Sequence, residues 1–151
     1  MSDDLHALYF KVFNEIGILE QLSRTLLEAR LPKGFLVSHF TVLNHLIRVR
    51  NGQTPLALAR AFQVPKTTMT HTLSGLETAA LVEIRPNPDD KRSKQVWITP
   101  AGRSFRDEAI AALGPDIAHL ASLVPEDTVR ALAPKLQALR EVMDANRSVK
   151  I

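Results

Sequence analysis

The fold is decided by residues 65–102, which read PKTTMTHTLSGLETAALVEIRPNPDDKRSKQVWITPAG. Residues 66–80 carry apolar side chains at spacings of three and four, which predicts a short amphipathic helix. The apolar segments 81–85 and 95–98 predict two strands, and residues 86–94 between them are rich in turn-forming side chains. The stretch therefore predicts a helix followed by a β-hairpin with a hydrophilic tip.

A second short helix precedes this one. Thr54 and Pro55 have the residue types of an N-cap and a first-turn proline, and Leu58 and Ala59 begin the apolar side of the helix that follows. Residues 63–65 form a tight connection, so the two helices make a helix-turn-helix. Together with the hairpin, this is the layout of a winged helix-turn-helix. Such a layout presents one helix to a DNA major groove and a cationic loop to the neighbouring backbone or minor groove.

Longer helices are predicted on both sides of this segment. Apolar residues at spacings of three and four predict an amphipathic helix over about residues 4–30, and a second helix follows with Ser38 as its cap. After the hairpin, Thr99 and Pro100 again have the residue types of an N-cap and a first-turn proline, and the helix they begin is expected to run on to about Leu123. A last helix begins near Pro125, and Pro134 inside it predicts a kink or a late start. The fold class is therefore mainly α with a small β-hairpin wing.

Size and composition narrow the class of protein. The chain has 151 residues, 45% of them hydrophobic, which predicts one domain or one domain with dimerising extensions. It has no cysteine, which excludes a disulfide framework, thiolate zinc sites and a thiol redox sensor. We expect no signal peptide and no membrane span, because the first residues are acidic and no apolar stretch is long enough. A cytoplasmic location fits these features.

The net charge of +3 is unevenly distributed. Residues 48–106 carry ten basic and four acidic side chains, whereas the rest of the chain carries nine basic and twelve acidic ones. A basic centre within an acidic frame indicates a surface that binds a polyanion. Charge alone does not separate this reading from a chance cluster of solvated residues.

Two groups of polar residues are candidates for DNA contact. The outer face of the helix over residues 66–80 carries hydroxyl and imidazole groups short enough to approach base edges, and the hairpin tip carries cations suited to phosphates and the minor groove. The alternatives are a merely solvated helix face, and lysines that keep an exposed hairpin soluble. The candidate DNA-binding residues are Lys66, Thr67, Thr68, Thr70, His71, Ser74, Lys91, Arg92 and Lys94.

Other kinds of chemistry lack a supporting motif. The five histidines form no His-x-x-x-His or Glu-x-x-His pair, so local spacing predicts no metal site. There is no Gly-rich phosphate loop and no Cys nucleophile, and the carboxylates of Asp89 and Asp90 lie in a turn without a partnering histidine. We therefore expect neither an enzyme nor a bound cofactor.

A set of fixed spacings runs through the hairpin and into the following helix. An Asp-x-Arg motif is followed by a strand and then by a hydrophobic-Thr-x-x-Gly motif, at positions Asp90, Arg92, Ile98, Thr99 and Gly102. In these spacings and in its helix order the chain resembles the MarR (multiple antibiotic resistance regulator) family of bacterial transcription factors. The resemblance implies that Arg92 reaches a DNA groove and that Asp90 braces an arginine to shape the wing.

Three positions depart from the pattern of many relatives. Where they have an arginine in the middle of the recognition helix, this chain has His71, and a basic position toward the helix end corresponds to Gly75. Ala80 stands where relatives often have glycine before the strand. The resemblance still implies DNA binding, but the base sequence that is read is expected to differ.

The resemblance also implies a homodimer. The apolar stripes of the first and last helices exceed what one small domain is expected to cover. We therefore assign residues 1–35 and 104–151 to dimerisation and residues 36–103 to the DNA-binding lobe. The expected partners are a second copy of the chain and double-stranded DNA that contains a pseudo-palindromic operator. The resemblance implies that the dimer acts most often as a repressor.

Regulators of this family commonly bind a small aromatic or anionic effector between the dimer helices and the DNA-binding lobe. By that analogy an effector pocket is expected near Tyr9, Phe13, Phe35, His39 and Phe40, although such side chains also suit a simple core. Two alternatives to a ligand-controlled regulator stay open: a ligand-independent DNA-binding or architectural protein, and a dimeric protein-interaction module.

Overall fold

The computed structural model describes residues 1–147 and contains helices joined to one β-hairpin. In chain order the elements are α1 (Asp3–Arg30), α2 (Val37–Arg48), α3 (Pro55–Phe62), α4 (Lys66–Thr78), β1 (Val82–Pro86), β2 (Lys94–Ile98), α5 (Pro100–Ala112), α6 (Gly114–Leu123) and α7 (Glu126–Asn146). The two strands are antiparallel, with Val82 opposite Ile98 and Ile84 opposite Val96. The mainly helical fold with a hairpin wing is confirmed.

The chain divides into two compact units, one ending at Leu113 and the other beginning at Gly114. The first unit holds the core, in which α2, α3, α4 and the hairpin bury their apolar faces together. Leu43, Leu58 and Val96 are fully buried in it. The proposed dimerisation segment 104–151 includes residues 148–151, which lie outside the described residues.

Two of the expected helix starts are confirmed by their caps. Thr54 Oγ1 accepts the N–H of Ala57 at 3.1 Å, and Thr99 Oγ1 accepts the N–H of Gly102 at 3.0 Å. The expectation that Ser38 caps α2 is wrong, because α2 begins two residues earlier than such a cap requires, with Leu36 as its N-cap. The Leu36 side chain has no acceptor atom to serve as a cap. Instead, Nδ1 of His39 accepts the backbone N–H of Leu36.

The end of α4 also differs from the prediction. The spacing of apolar residues in positions 66–80 predicts Ala80 on the apolar face of the helix. In the structure α4 ends at Thr78, and Ala80 is exposed in the left-handed region with φ 58°. The N–H groups of Ala80 and Leu81 bond back to the Glu77 and Leu76 carbonyls, each at 2.9 Å. A left-handed residue that closes the last turn in this way is a common helix end.

The C-terminal helices correct two further predictions. The helix after the hairpin does not run unbroken to Leu123, because α5 ends at Ala112 and α6 begins at Gly114. Pro115 explains the break, since a proline has no N–H to bond and its ring clashes with the preceding turn. A late start of the last helix at Pro134 is also wrong, because α7 begins at Glu126 and includes Pro134.

Three helices bury none of their side chains in the structure. Neither α1, α6 nor α7 contains a buried residue. Large apolar side chains on α1 and α7 lie in solvent, with Phe10 66% exposed and Val142 62% exposed. Among residues 1–147, no helix has the length and apolar character needed to cross a membrane.

Candidate nucleic-acid interface

The inner face of α4 fixes which side of this helix meets solvent. Met69, Leu73 and Leu76 are buried in the core, and the helix packs against α3, α2 and β1. Thr72 is buried on the same side, where its hydroxyl donates to the Thr68 carbonyl at 3.2 Å. The opposite face of α4 therefore points away from the core.

The sequence-predicted contact residues of α4 are all exposed, although Thr68 also lines a cavity beside α2. They are Lys66, Thr67, Thr68, Thr70, His71 and Ser74. The Thr70 hydroxyl donates to the Lys66 carbonyl at 2.9 Å, which leaves its oxygen lone pairs and its methyl group free to face a base. Among the described residues, the hydroxyls of Thr67 and Ser74 have no hydrogen-bond partner. The face thus offers donors and acceptors that are not engaged within the protein.

The tip of the wing is folded around one carboxylate. Asp90 Oδ1 accepts the backbone N–H of Arg92 at 2.9 Å and lies 3.5 Å from Nε of the same residue. The Ser93 N–H closes the turn by donating to the Asp90 carbonyl at 3.1 Å. The Arg92 side chain remains 94% exposed, and Lys91 and Lys94 are exposed beside it. The carboxylate therefore shapes the tip while leaving the guanidinium available to a partner.

Polar and aromatic contacts stiffen the rest of the wing. Asn87 Nδ2 donates to Ser93 Oγ at 2.8 Å across the base of the tip. On the strands, the Arg85 guanidinium lies 5.2 Å from the Trp97 ring centroid and bonds Glu83 at 3.0 Å. This hydrogen bond, and then the positive charge of Arg85, lower the pKa of the Glu83 carboxyl. Because both groups are solvated, the pair orients Arg85 more than it stabilises the fold.

Thr99 connects the end of α4 to the wing through hydrogen bonds. Its hydroxyl donates to the Ala80 carbonyl at 2.7 Å, and its backbone N–H donates to the Leu81 carbonyl at 3.1 Å. A Cβ at Gly102 would lie only 2.1 Å from that Leu81 oxygen, so no larger residue fits. The hydrophobic-Thr-x-x-Gly motif is therefore the junction at which α4, both strands and α5 meet.

Comparisons with known proteins agree with this geometry. The MarR family model matches residues 33–93, which run from the loop before α2 to the wing tip. Wild-type MarR from E. coli in its apo form is 26% identical, covers 83% of this chain and 93% of its own, and superposes with a TM-score of 0.72. Within residues 33–93 the chain is thus similar in sequence to the MarR family of transcriptional regulators, and most of the chain shares the fold of E. coli MarR.

Two further solved structures extend the match to almost the whole chain. A mutant of E. coli MarR complexed with operator DNA is 26% identical and covers 91% of this chain and 99% of its own, with a TM-score of 0.69. The transcriptional regulator BldR from Sulfolobus solfataricus, 22% identical, covers 96% of this chain and 99% of its own with a TM-score of 0.73. BldR thus shares the fold of this chain.

One cation near the wing was missed by the sequence reasoning. Arg50 is exposed and borders a groove of about 340 Å³ between the start of α3 and the base of the wing. Asn51, Asn87 and Gln95 also line this groove, so most of its polar groups can meet a phosphate oxygen, while Asp89 at one edge opposes an anion. The signal in the sequence was the basic stretch that begins at residue 48, but no local motif singles out Arg50.

The residues expected to line an effector pocket are only partly brought together. Phe35 packs edge-on to His39, with ring centroids 5.6 Å apart, and against Phe105 at 4.7 Å. Phe40 is partly buried on α2, whereas Tyr9 and Phe13 are exposed on α1. The effector pocket thus stays a prediction.

A separate cavity of about 190 Å³ lies between α1, α2 and α4, with Arg24, Thr41 and Thr68 in its lining. Arg24 is already paired there with Glu20 at 2.6 Å. Within residues 1–147, no three His, Cys, Asp or Glu side chains are arranged to hold a metal ion. The cavity is therefore not treated as part of the predicted effector pocket.

Proposed function

We propose that this chain is a transcriptional repressor that binds a pseudo-palindromic DNA operator as a homodimer and is released by a small aromatic or anionic effector. In this proposal the outer face of α4 reads base edges in the major groove, with Lys66 on a phosphate. The wing contributes Arg92 to the minor groove and Lys91 and Lys94 to the backbone. Residues 36–103 form the DNA-binding lobe.

The observation that carries the proposal is the exposed guanidinium of Arg92 on a carboxylate-braced tip. An arginine held by its backbone and Nε while its terminal nitrogens face solvent costs little further ordering when it enters a narrow groove. The unengaged hydroxyls of α4 provide the second surface in the same compact unit. E. coli MarR, at 26% identity, has been solved with operator DNA, which supports the same kind of partner here.

The exposed apolar faces support a homodimer. The 28 residues of α1 contain no buried side chain, although Leu8, Tyr9 and Phe10 are among its large apolar residues. A monomer that exposes such continuous apolar helix faces would be a poor soluble protein, and a second copy offers the same faces in return. Two recognition helices in such a dimer would enter major grooves about one helical turn, roughly 34 Å, apart.

The first experiment is selection of bound duplexes from a random pool, followed by affinity measurements over a salt series. The repressor proposal predicts an enriched inverted repeat and an affinity that falls steeply with salt. Tight but sequence-indifferent binding would favour an architectural protein. No binding at low salt would favour a protein-interaction module and would contradict the proposal.

The sharper test is Arg92→Ala. We expect about a tenfold loss of operator affinity and a salt slope smaller by about 0.9, the value for one lost phosphate-region contact. Lys135→Ala, which removes one exposed charge from α7, is the matched control and should bind like the parent. Light scattering should find the same dimer in all three proteins. Parental affinity of Arg92→Ala would remove the wing from the interface.

A further inference from the structure

His39 replaces the missing cap of α2. Its Nδ1 accepts the backbone N–H of Leu36 at 2.9 Å, one of the unpaired donors at the helix start. An imidazole nitrogen accepts a hydrogen bond only when it carries no proton, so the ring is neutral and its hydrogen is on Nε2. The start of α2 therefore depends on the protonation state of one side chain.

The other edge of the same ring touches the recognition helix. A Cβ at Gly75 would lie 2.9 Å from His39 Nε2 and 3.6 Å from Cδ2, so the imidazole fills the space beside α4 that a side chain at this position would need. Phe35 packs against the ring from the other side. Because Nδ1 is bonded to the backbone, the ring is held in place as a spacer between α2 and α4.

We propose that neutral His39 positions the recognition helix for DNA and that protonation of His39 loosens this position, so that operator binding weakens in acid. This proposal rests on the DNA-binding function proposed above. A protonated ring has two N–H donors, and Nδ1–H would then face the N–H of Leu36. The ring has to turn away from the cap, and the side of α4 at Gly75 loses its neighbour.

Burial and the charge of His71 favour the neutral form of His39. On the helices packed against α2, α4 carries His71, α5 carries Arg106 bonded to Asn44 and Asp107, and α1 carries the pair of Arg24 and Glu20. Partial burial first, and then the charge of His71, lower the pKa of His39 below its usual 6.5. The stabilisation from neutral His39 is thus complete above about pH 6.5 and is lost as the pH falls through the lower folded value.

His39→Gln separates the cap from the proton. A glutamine at this third helical position can accept the same N–H through Oε1, as in a capping box, but does not titrate. Because the variant lacks the imidazole ring, its affinity at pH 8 is taken as its own reference, and only the change of affinity with pH is compared. Between pH 8 and pH 5.5, at fixed ionic strength, the parent should lose about fivefold more affinity than the variant, the scale of one lost cap. His71 is present in both proteins, so any contribution from its side chain cancels. Equal pH profiles would overturn the proposal.

A measurement on the protein alone keeps the proposal testable if the variant misfolds or if no duplex is bound. In the parent, the ¹⁵N shifts of His39 and the protection factor of the Leu36 amide, its exchange rate corrected for the intrinsic effect of pH, should change with one shared midpoint below pH 6.5. A Leu36 amide that does not respond while His39 titrates would refute the coupling. Absence of DNA binding at every pH would instead refute the repressor proposal and leave this coupling to the NMR result.

Gly75→Ala provides a second variant. Its methyl group would displace the His39 ring at every pH, so operator affinity at pH 8 should fall and the acid-dependent loss should shrink. In a His39→Ala background the same methyl group meets no ring, and adding Gly75→Ala should cost nothing further. A Gly75→Ala variant with parental affinity and parental pH dependence would contradict the spacer role.

Discussion

Gly102→Ala should destabilise the fold far more than a single methyl group suggests. The added Cβ would lie 2.1 Å from the Leu81 carbonyl oxygen and 2.7 Å from Ile98 Cγ1, whereas ordinary contacts begin at 3.4 Å. The carbonyl must therefore move by roughly 1 Å or α5 must tilt. Either shift weakens the bond from Thr99 N–H to Leu81 and the bond from Gly102 N–H to Thr99 Oγ1, each contributing about 1 kcal/mol.

The net effect follows from opposing terms. Overpacking adds about 1–3 kcal/mol to the lost hydrogen bonds, while alanine gains about 1 kcal/mol in helix propensity over glycine. We expect the free energy of unfolding to fall by about 2–4 kcal/mol, on the scale of other overpacked core positions. Urea unfolding followed by the fluorescence of Trp97, the single tryptophan, measures it at one fixed protein concentration.

Gly114→Ala is the control for this experiment. A Cβ at Gly114 meets no atom within 4 Å, so the same methyl group should leave stability unchanged or slightly raised. If Gly102→Ala were as stable as Gly114→Ala, the junction around Thr99 would not be as tightly packed as the distances indicate, and its role in joining helix to wing would be refuted.

Two further changes test the surfaces. Arg50→Gln should weaken binding to operator and to scrambled duplex by the same factor, because a phosphate contact carries no base information. The salt slope should also fall by about 0.9. A loss confined to the operator would contradict this role of Arg50. Leu136→Glu, at an exposed apolar position of α7, should shift sedimentation equilibrium toward monomer, while Lys135→Glu should not; an unchanged dimer would exclude this face from the interface.

Local signals were enough for the parts of the fold that local interactions decide. A hydroxyl residue followed by proline marked both Thr54 and Thr99 as caps, because such a cap bonds a backbone N–H three residues ahead in sequence. The hairpin was predicted to within one residue at each strand end, since alternating apolar residues and a turn-rich tip are also local features.

The failures came where a distant or unusual partner decides the structure. Ser38 has the side chain of a cap, but the nitrogen of His39 supplies the bond instead. Ala80 fits an apolar helix face by spacing, yet the chain must reverse there so that the Ala80 carbonyl can accept from Thr99, nineteen positions away. Helix periodicity contains no information on such a partner.

The candidate DNA surface was easier to predict than the effector pocket. A residue such as Arg92, proposed to contact DNA, lies in an exposed turn, so composition and spacing suffice to suggest it. A pocket requires residues from several helices to converge, and the aromatic residues at positions 9, 13 and 35 are equally typical of a core or an interface. Only the cluster of Phe35, His39 and Phe105 emerged, and Phe105 had no distinguishing sequence signal.

The segment between α2 and α3 has a consequence for how operators of different length can be accommodated. Val96 of the wing bonds it twice, accepting the N–H of Gly52 at 3.0 Å and donating to the Gln53 carbonyl at 2.8 Å, and Asn51 Oδ1 accepts the N–H of Ile98 at 2.9 Å. The second strand, β2, is thereby hydrogen-bonded to β1 on one edge and to residues 51–53 on the other. The wing therefore cannot move independently of the rest of the lobe. We expect any adjustment to a longer or shorter half-site spacing to arise between protomers, with each protomer keeping a constant footprint on its own half-site.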